Sequence, residues 1–248
     1  MKKFGENSSG QLLIVASLAI ALLISSTIVY VYEISKEKNG NFTLSINDFV
    51  YASKQSVRNA VISSLANASR SGEKTVLMAN LNRLSQAFRR LTHFGICKCQ
   101  FTVFNNSNYD LGVWLSVDDG LGVSSAYANF TFEVYSLTVN ITMNYAINIT
   151  THATVNGYYT RIGEKEKMVY LTCKVYNEGE PALAKNISVF YEDLGMWVPV
   201  NASIMDFGNG TYTITFSVLT SSNSVRVSAH ISDLRDIIVM ANATCFEA

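Results

Sequence analysis

Three textures of hydrophobic and polar positions follow one another along the chain. Residues 12–32 (LLIVASLAIALLISSTIVYVY) are apolar or small throughout, without a charge, a proline or a glycine. Twenty-one such residues, at about 1.5 Å each, make a helix of roughly 32 Å, enough to cross a bilayer core. Tyr30 and Tyr32 fall at its end, where amphipathic rings favour the membrane interface. A second texture begins after the polar connector KEKNGNF. Phe49, Val50, Val57, Val61, Ile62 and Leu65 recur at spacings of three, four and seven, behind Ser45 and Asn47 for capping and Asp48 in the first turn. This predicts an amphipathic helix to about Ala68. After a break at SRSG, Leu77, Leu81, Leu84, Phe88 and Leu91 draw a second stripe. The two make a helical segment at 41–95.

Near His93 the period changes from helical to alternating. Stretches 98–104, 111–117, 126–134 and 137–150 read as strands, with Val139, Ile141, Met143, Tyr145 and Ile147 on one phase. Asp118, Asp119 and Gly120 make a turn. We therefore expect an antiparallel β region at 96–160. The charged run GEKEK at 163–167 reads as a turn or linker opening a new unit. In it Val169, Leu171, Cys173 and Val175 share a phase, as do Ile187, Val189 and Tyr191, then Tyr212, Ile214, Phe216 and Val218. Val225, Val227, Ala229 and Ile231 follow, then Ile237, Val239, Ala241 and Ala243. Short strands with turn signals between them, among them NEGEP and DFGNG, predict an immunoglobulin-like β-sandwich at 161–248. NEGEPA and GNGTYTITF also resemble such modules in microbial surface proteins. The expected fold class is α+β: an N-terminal transmembrane helix at 11–36, a short helical hairpin, and an antiparallel β region ending in that sandwich.

Composition sharpens the location. Lys+Arg equals Asp+Glu, so no basic field draws nucleic acid. At 48% hydrophobic and 15% charged, the chain is too apolar for disorder. Asn-x-Ser/Thr acceptors stand at Asn7, Asn41, Asn67, Asn105, Asn129, Asn140, Asn148, Asn186, Asn201, Asn209 and Asn242, eleven in all. Chance predicts roughly four. Ten lie beyond the apolar segment, and they put the body outside the cell, with the N-terminus and its Lys2 and Lys3 inside.

The front edge carries a resemblance. Lys2 and Lys3, then Gly10-Gln11, then the apolar segment, resemble the leader of archaeal type IV prepilins. Ser9 and Val15 depart from the usual pattern of that family. The resemblance implies cleavage between Gly10 and Gln11, removal of a cytoplasmic leader at 1–10, and an apolar helix that anchors the subunit and then packs in a filament core. Ser17, Ala21 and Ser25 recur every four residues and give that helix a face for close packing.

Chemistry is sparse. Cys97, Cys99, Cys173 and Cys245 form an even set in an exported body, which fits disulfides. Free thiols and a metal site are the alternatives. A Cys173–Cys245 bridge would tie the start of the last unit to its end. His93, His152 and His230 stand apart, and no nucleophile motif, phosphate loop or metal-protease motif occurs. Trp114 and Trp197 are candidates for glycan stacking, and Glu192 with Asp193 are adjacent acids. We expect a non-enzymatic, membrane-anchored, pilin-like surface component without cofactor or metal. Its partners are the bilayer and either itself, in a filament or oligomer, or other surface proteins. The alternative is a single-pass surface protein with an adhesive, partner- or glycan-binding β module.

Overall fold

The computed structural model describes residues 42–90, 96–135 and 140–248, with side chains from residue 48. The chain divides into two compact units, Met1–Ser53 and Lys54–Ala248. Of the first, the described part is the beginning of helix α1 (Phe42–Ser71). The second holds the rest of α1, helix α2 (Thr75–Arg89) and every described strand.

Val57, Val61, Leu65 and Ala68 bury one stripe of α1, and Leu77, Leu81 and Phe88 bury one of α2. Gly72 (φ 77°) ends α1 in the left-handed conformation, its N–H donating to the Ala68 carbonyl at 2.7 Å. Asn80 Nδ2 donates to Ser64 Oγ at 3.0 Å, joining the two helices. Ser85 Oγ donates to the Cys99 carbonyl, and Phe88 meets Phe132 edge-on with centroids 5.2 Å apart. The hairpin thereby seats on the sheet.

The strands are β1 (Ile96–Val103), β2 (Val113–Val117), β3 (Leu121–Tyr135), β4 (Asn140–Arg161), β5 (Glu166–Asn177), β6 (Glu180–Pro181), β7 (Ala184–Asp193), β8 (Met196–Pro199), β9 (Ser203–Asp206), β10 (Thr211–Leu219), β11 (Val225–Asp233) and β12 (Ile238–Glu247). All twelve belong to one hydrogen-bonded network. Its main path runs β8-β7-β11-β12-β4-β5-β10-β9, with β1 and β2 both on β3, β3 on β4, and β6 on β5.

This overturns the expected fold class. The antiparallel region at 96–160 and the immunoglobulin-like sandwich at 161–248 are not separate layers, because β4 serves both. Its first part pairs with β3 from Asn140 to Thr154, and its last part pairs with β5 from Thr151 to Arg161. The alternation of β4 never breaks, so the run at 163–167 is no linker: residues 162–165 make a hairpin turn, closed by Ile162 and Gly163 N–H groups on the Glu166 carbonyl, and Glu166 and Lys167 already begin β5. The sheet is also mixed. β12 lies parallel to β4, Phe246 opposite Tyr158 and Glu247 opposite Tyr159. The expected transmembrane helix at 11–36 lies outside the described residues. Among the described residues no helix is long and apolar enough to cross a membrane.

The main path curls on itself around one apolar cluster. Val169, Leu171, Cys173 and Val175 of β5 and Ile214 and Phe216 of β10 share it with Val189 of β7, Val227 and Ile231 of β11, and Val239 and Cys245 of β12. The curl brings opposite ends of the path into contact: the Ala184 N–H donates to Tyr212 Oη at 2.7 Å. β8 and β9, the two path ends, follow one another in sequence, and Val200 N–H between them still bonds the Val189 carbonyl at 3.0 Å. A sheet folded back in this way buries one face of every long strand without helices on both sides.

Two glycines permit close approach of backbones. A Cβ on Gly122 would run into the Met240 carbonyl, with its carbon at 2.7 Å, where β3 crosses β12. A Cβ on Gly157 would meet Leu171 Cδ2 and stand 2.5 Å from the Tyr170 carbonyl oxygen.

Candidate functional site

One concavity lies at the end of the sheet where three connections converge. One is the turn between β7 and β8. Leu194 and Gly195 both have positive φ (49° and 81°), the geometry of a two-residue hairpin turn matched to strand twist. Leucine is a costly residue in the left-handed region, and Leu194 is 94% exposed. The second is the β10–β11 loop, residues 220–224. It is braced from beneath by Lys167, which donates to the Ser222 carbonyl while its ammonium lies 4.1 Å from the Tyr159 ring centroid. Tyr159 Oη donates to the Asn223 carbonyl at 3.0 Å. The third is the β4–β5 turn, where Lys165 accepts the Thr220 N–H at 2.8 Å.

Together they enclose an open cleft of about 610 Å³, lined by Lys165, Glu192, Asp193, Leu194, Leu219, Arg226 and the hydroxyls of the 220–224 loop. Arg226 Nη1 donates to Glu192 Oε2 at 2.5 Å, and its guanidinium sits 6.0 Å from the Trp197 ring centroid. Trp197 stands opposite Glu192 across the β7–β8 pair. A row of aromatic, carboxylate and guanidinium groups therefore borders a floor of hydroxyls. Such a wall suits a neutral or mixed-charge polar ligand. The lining holds no histidine or cysteine. Among the described residues no group of three or more His, Cys, Asp or Glu gathers in metal-binding geometry.

The other sequence candidates lie elsewhere. Trp114 packs beside Tyr109, centroids 5.8 Å apart, in a cluster with Phe104 and Tyr127. The Asp118–Asp119–Gly120 turn is bound to β12: the Gly120 N–H donates to the Asn242 carbonyl at 2.7 Å, and the Asn242 N–H to the Asp118 carbonyl at 3.1 Å. All four cysteines are buried and unbonded. Cys97 and Cys99 share the inner face of β1, whereas Cys173 and Cys245 lie in the main core. Burial alone pushes the thiols of Cys99 and Cys173 up, to about 11 and about 12. Burial, then the Asp119 carboxylate, pushes Cys245 up to about 12. None is a thiolate nucleophile near neutrality. Burial holds His152, stacked on Tyr176 at 4.8 Å, and His230, 4.6 Å from Phe190, below the usual imidazole range.

The glycosylation acceptors separate clearly. Asn67, Asn105, Asn129, Asn140, Asn148, Asn186, Asn201 and Asn209 all have exposed side chains. Asn242 does not, and its Oδ1 is buried without a partner. Asn7, Asn41, Gly10, Gln11, Ser17, Ala21 and Ser25 fall outside the residues whose side chains are described.

One polar constellation escaped the sequence reading. Asp233 is fully buried. Its carboxylate accepts from Thr151 Oγ1 (3.0 Å), Arg235 Nε (2.8 Å), and the N–H groups of Arg235 (2.8 Å) and Ile237 (3.0 Å). Arg235 also donates to Glu178 Oε1 at 2.7 Å and to Thr151 Oγ1 at 2.9 Å. The local signal was an Asp and an Arg two residues apart at a strand end; Thr151 and Glu178 reach them only through the fold. The network is saturated and faces the strand ends, so it braces the structure. No protein-family model, curated protein or solved structure matches this chain.

Proposed function

We propose that this chain is a non-catalytic surface protein, related in build to prepilin-like subunits. It is held to the membrane through its apolar segment 12–32 and displays a glycosylated β-rich body outside the cell. The observation that carries this reading is the placement of the acceptors. Eight of the nine whose side chains are described are exposed, on helix α1, strands and loops. That exposure leaves the side-chain amides within reach of a transferase, as the reading requires. Mass spectrometry of the native membrane-extracted protein tests it. The expected mature chain begins at Gln11 and carries sugar on asparagines of this set. A bare chain that retains Met1 and extracts without detergent would overturn it.

The cleft favours a second, compatible reading, in which the body also binds a polar partner such as a surface glycan. Arg226→Ala, which removes the guanidinium between Glu192 and Trp197, is expected to weaken binding about tenfold or more in a glycan-array or titration experiment. Array binding unchanged by this substitution would exclude the cleft.

A further inference from the structure

β9 is an unusual strand. It pairs with β10 on one side, Ile204 opposite Ile214 and Met205 opposite Thr213, and among the described residues with nothing on the other. Its neighbour β10 alternates buried and exposed positions, whereas all four residues of β9 are exposed. Yet its sequence is not that of a solvated strand. Ile204 is 42% exposed, Met205 63%, and Phe207 just beyond 56%. A free strand edge carrying apolar side chains on both faces is a template for edge-to-edge association. No proline lies within it, and its lone charge is Asp206.

What brackets this strand is specific. Asn201-Ala-Ser203 runs into its first residue and Asn209-Gly-Thr211 follows it. Both asparagines lie in exposed connections, outside any strand. By contrast, Asn129, Asn140, Asn148 and Asn186 sit inside strands, with backbones already paired. At Asn201 and Asn209 themselves no strand pairing holds the backbone, although the turn at 208–210 keeps bonds of its own, Thr211 N–H to Asn209 Oδ1 and Val175 N–H to the Gly210 carbonyl.

We propose that Asn201 and Asn209 carry N-linked glycans, and that these two sugars cover the free edge and apolar faces of β9. This rests on the surface reading above and specifies which acceptors it uses and for what. In the transfer, the side-chain amide Nδ2 forms a bond to the anomeric carbon of an oligosaccharide carried on a polyprenyl phosphate or diphosphate. The bond from that carbon to the phosphate oxygen breaks, the lipid phosphate leaves with the electron pair, and Nδ2 gives up one proton to the transferase. No oxidant or reductant is required. A glycan at each end of a strand of four residues, which spans about 13 Å, has the reach to meet over its middle.

Glycopeptide mass spectrometry of the native full-length chain comes first, and both asparagines are expected to be occupied. The Asn201→Gln/Asn209→Gln variant, made in the same cells and extracted in the same detergent, is expected to shift to higher mass in sedimentation at concentrations where the glycosylated chain does not. Adding Met205→Lys to that variant is expected to restore the smaller species, which separates edge association from simple misfolding. Bare Asn201 and Asn209 on a chain glycosylated at its other acceptors would overturn this inference alone. A chain without sugar anywhere would overturn the surface reading with it. A double variant that sediments like the glycosylated chain, or association that Met205→Lys leaves unchanged, would also overturn the covering role.

Discussion

Replacing Asp233 by alanine is expected to destabilise the protein by about 3–5 kcal/mol, the range seen when one member of a buried ion pair is removed. The carboxylate is the acceptor for four donors at once: Thr151 Oγ1, Arg235 Nε, and the N–H groups of Arg235 and Ile237. Alanine leaves the Ile237 N–H sealed without a partner and removes one of the two carboxylates, Asp233 and Glu178, that pair with a guanidinium whose side chain is only 17% exposed. Water cannot repair either loss at a residue that is itself fully buried. For a body of this size the melting temperature should fall by about 6–20 °C, measured by circular dichroism. Asp233→Asn, which keeps an acceptor for the backbone donors, should cost less. Asp233→Ala/Arg235→Met should be less destabilised than the sum of the single variants, because the two residues bond each other directly and each single variant already loses that pair. Equal melting of Asp233→Ala and the parent would show that the network contributes nothing.

Gly122→Ala is expected to cost about 3 kcal/mol, at the upper end of ordinary overpacking, and roughly 6–12 °C of melting temperature. The added Cβ would be driven into the Met240 carbonyl, a backbone group that cannot rotate away. β3 and β12 would have to separate. The crossing is pinned nearby by Ser124 Oγ on the Ile238 carbonyl at 2.7 Å and by the Gly120–Asn242 bond, so separation would loosen both. Gly179→Ala is the control: its φ is 91°, yet nothing lies within 4 Å of the added carbon. It should show only backbone strain, about 1 kcal/mol. If the two variants melt together, close packing of β3 on β12 is not what Gly122 serves.

The contrast between these two sites shows where the sequence was legible. Val169, Leu171, Cys173 and Val175 can be read as one strand face from their alternation, and all four are buried. The same holds for Val227, Ala229 and Ile231. Glycine marked the turn at Glu178-Gly179, where both residues take positive φ, whereas the Leu194-Gly195 turn, also at positive φ, was not read from the sequence. A period of two says which residues share a face, but the long described strands share that period, so it cannot say which strand lies beside which. The run at 163–167 looked like a linker because five consecutive polar or small residues suit a linker and a hairpin equally. The unbroken alternation from Asn140 to Arg161, a strand of 22 residues, was the better clue to a shared sheet. Gly122 gave no local hint of its role, since the backbone that crowds it is 118 positions away at Met240.

The cleft was illegible for the same reason. Glu192 with Asp193, and Trp197, stood out as residues, but Lys165 and the 220–224 loop join them only when β4–β5, β7–β8 and β10–β11 end at one place. The acceptor asparagines lie at the other extreme: their motif is three residues long, and the fold decides only which are reachable.

The sequence by itself determined the elements of this protein that depend on near neighbours. These are the apolar segment 12–32, the phase of the long strands, the NEGEP and DFGNG turns and the acceptor motifs, all set by sterics and periodicity within a few residues. Only the tertiary structure decided the parallel pairing of β12 with β4, the curl that brings Ala184 to Tyr212, the burial of Asp233 against Thr151, and the solitary edge of β9 between two acceptors. Each of these depends on which distant strands meet, and that choice follows from the joint burial of one core, which no local pattern encodes.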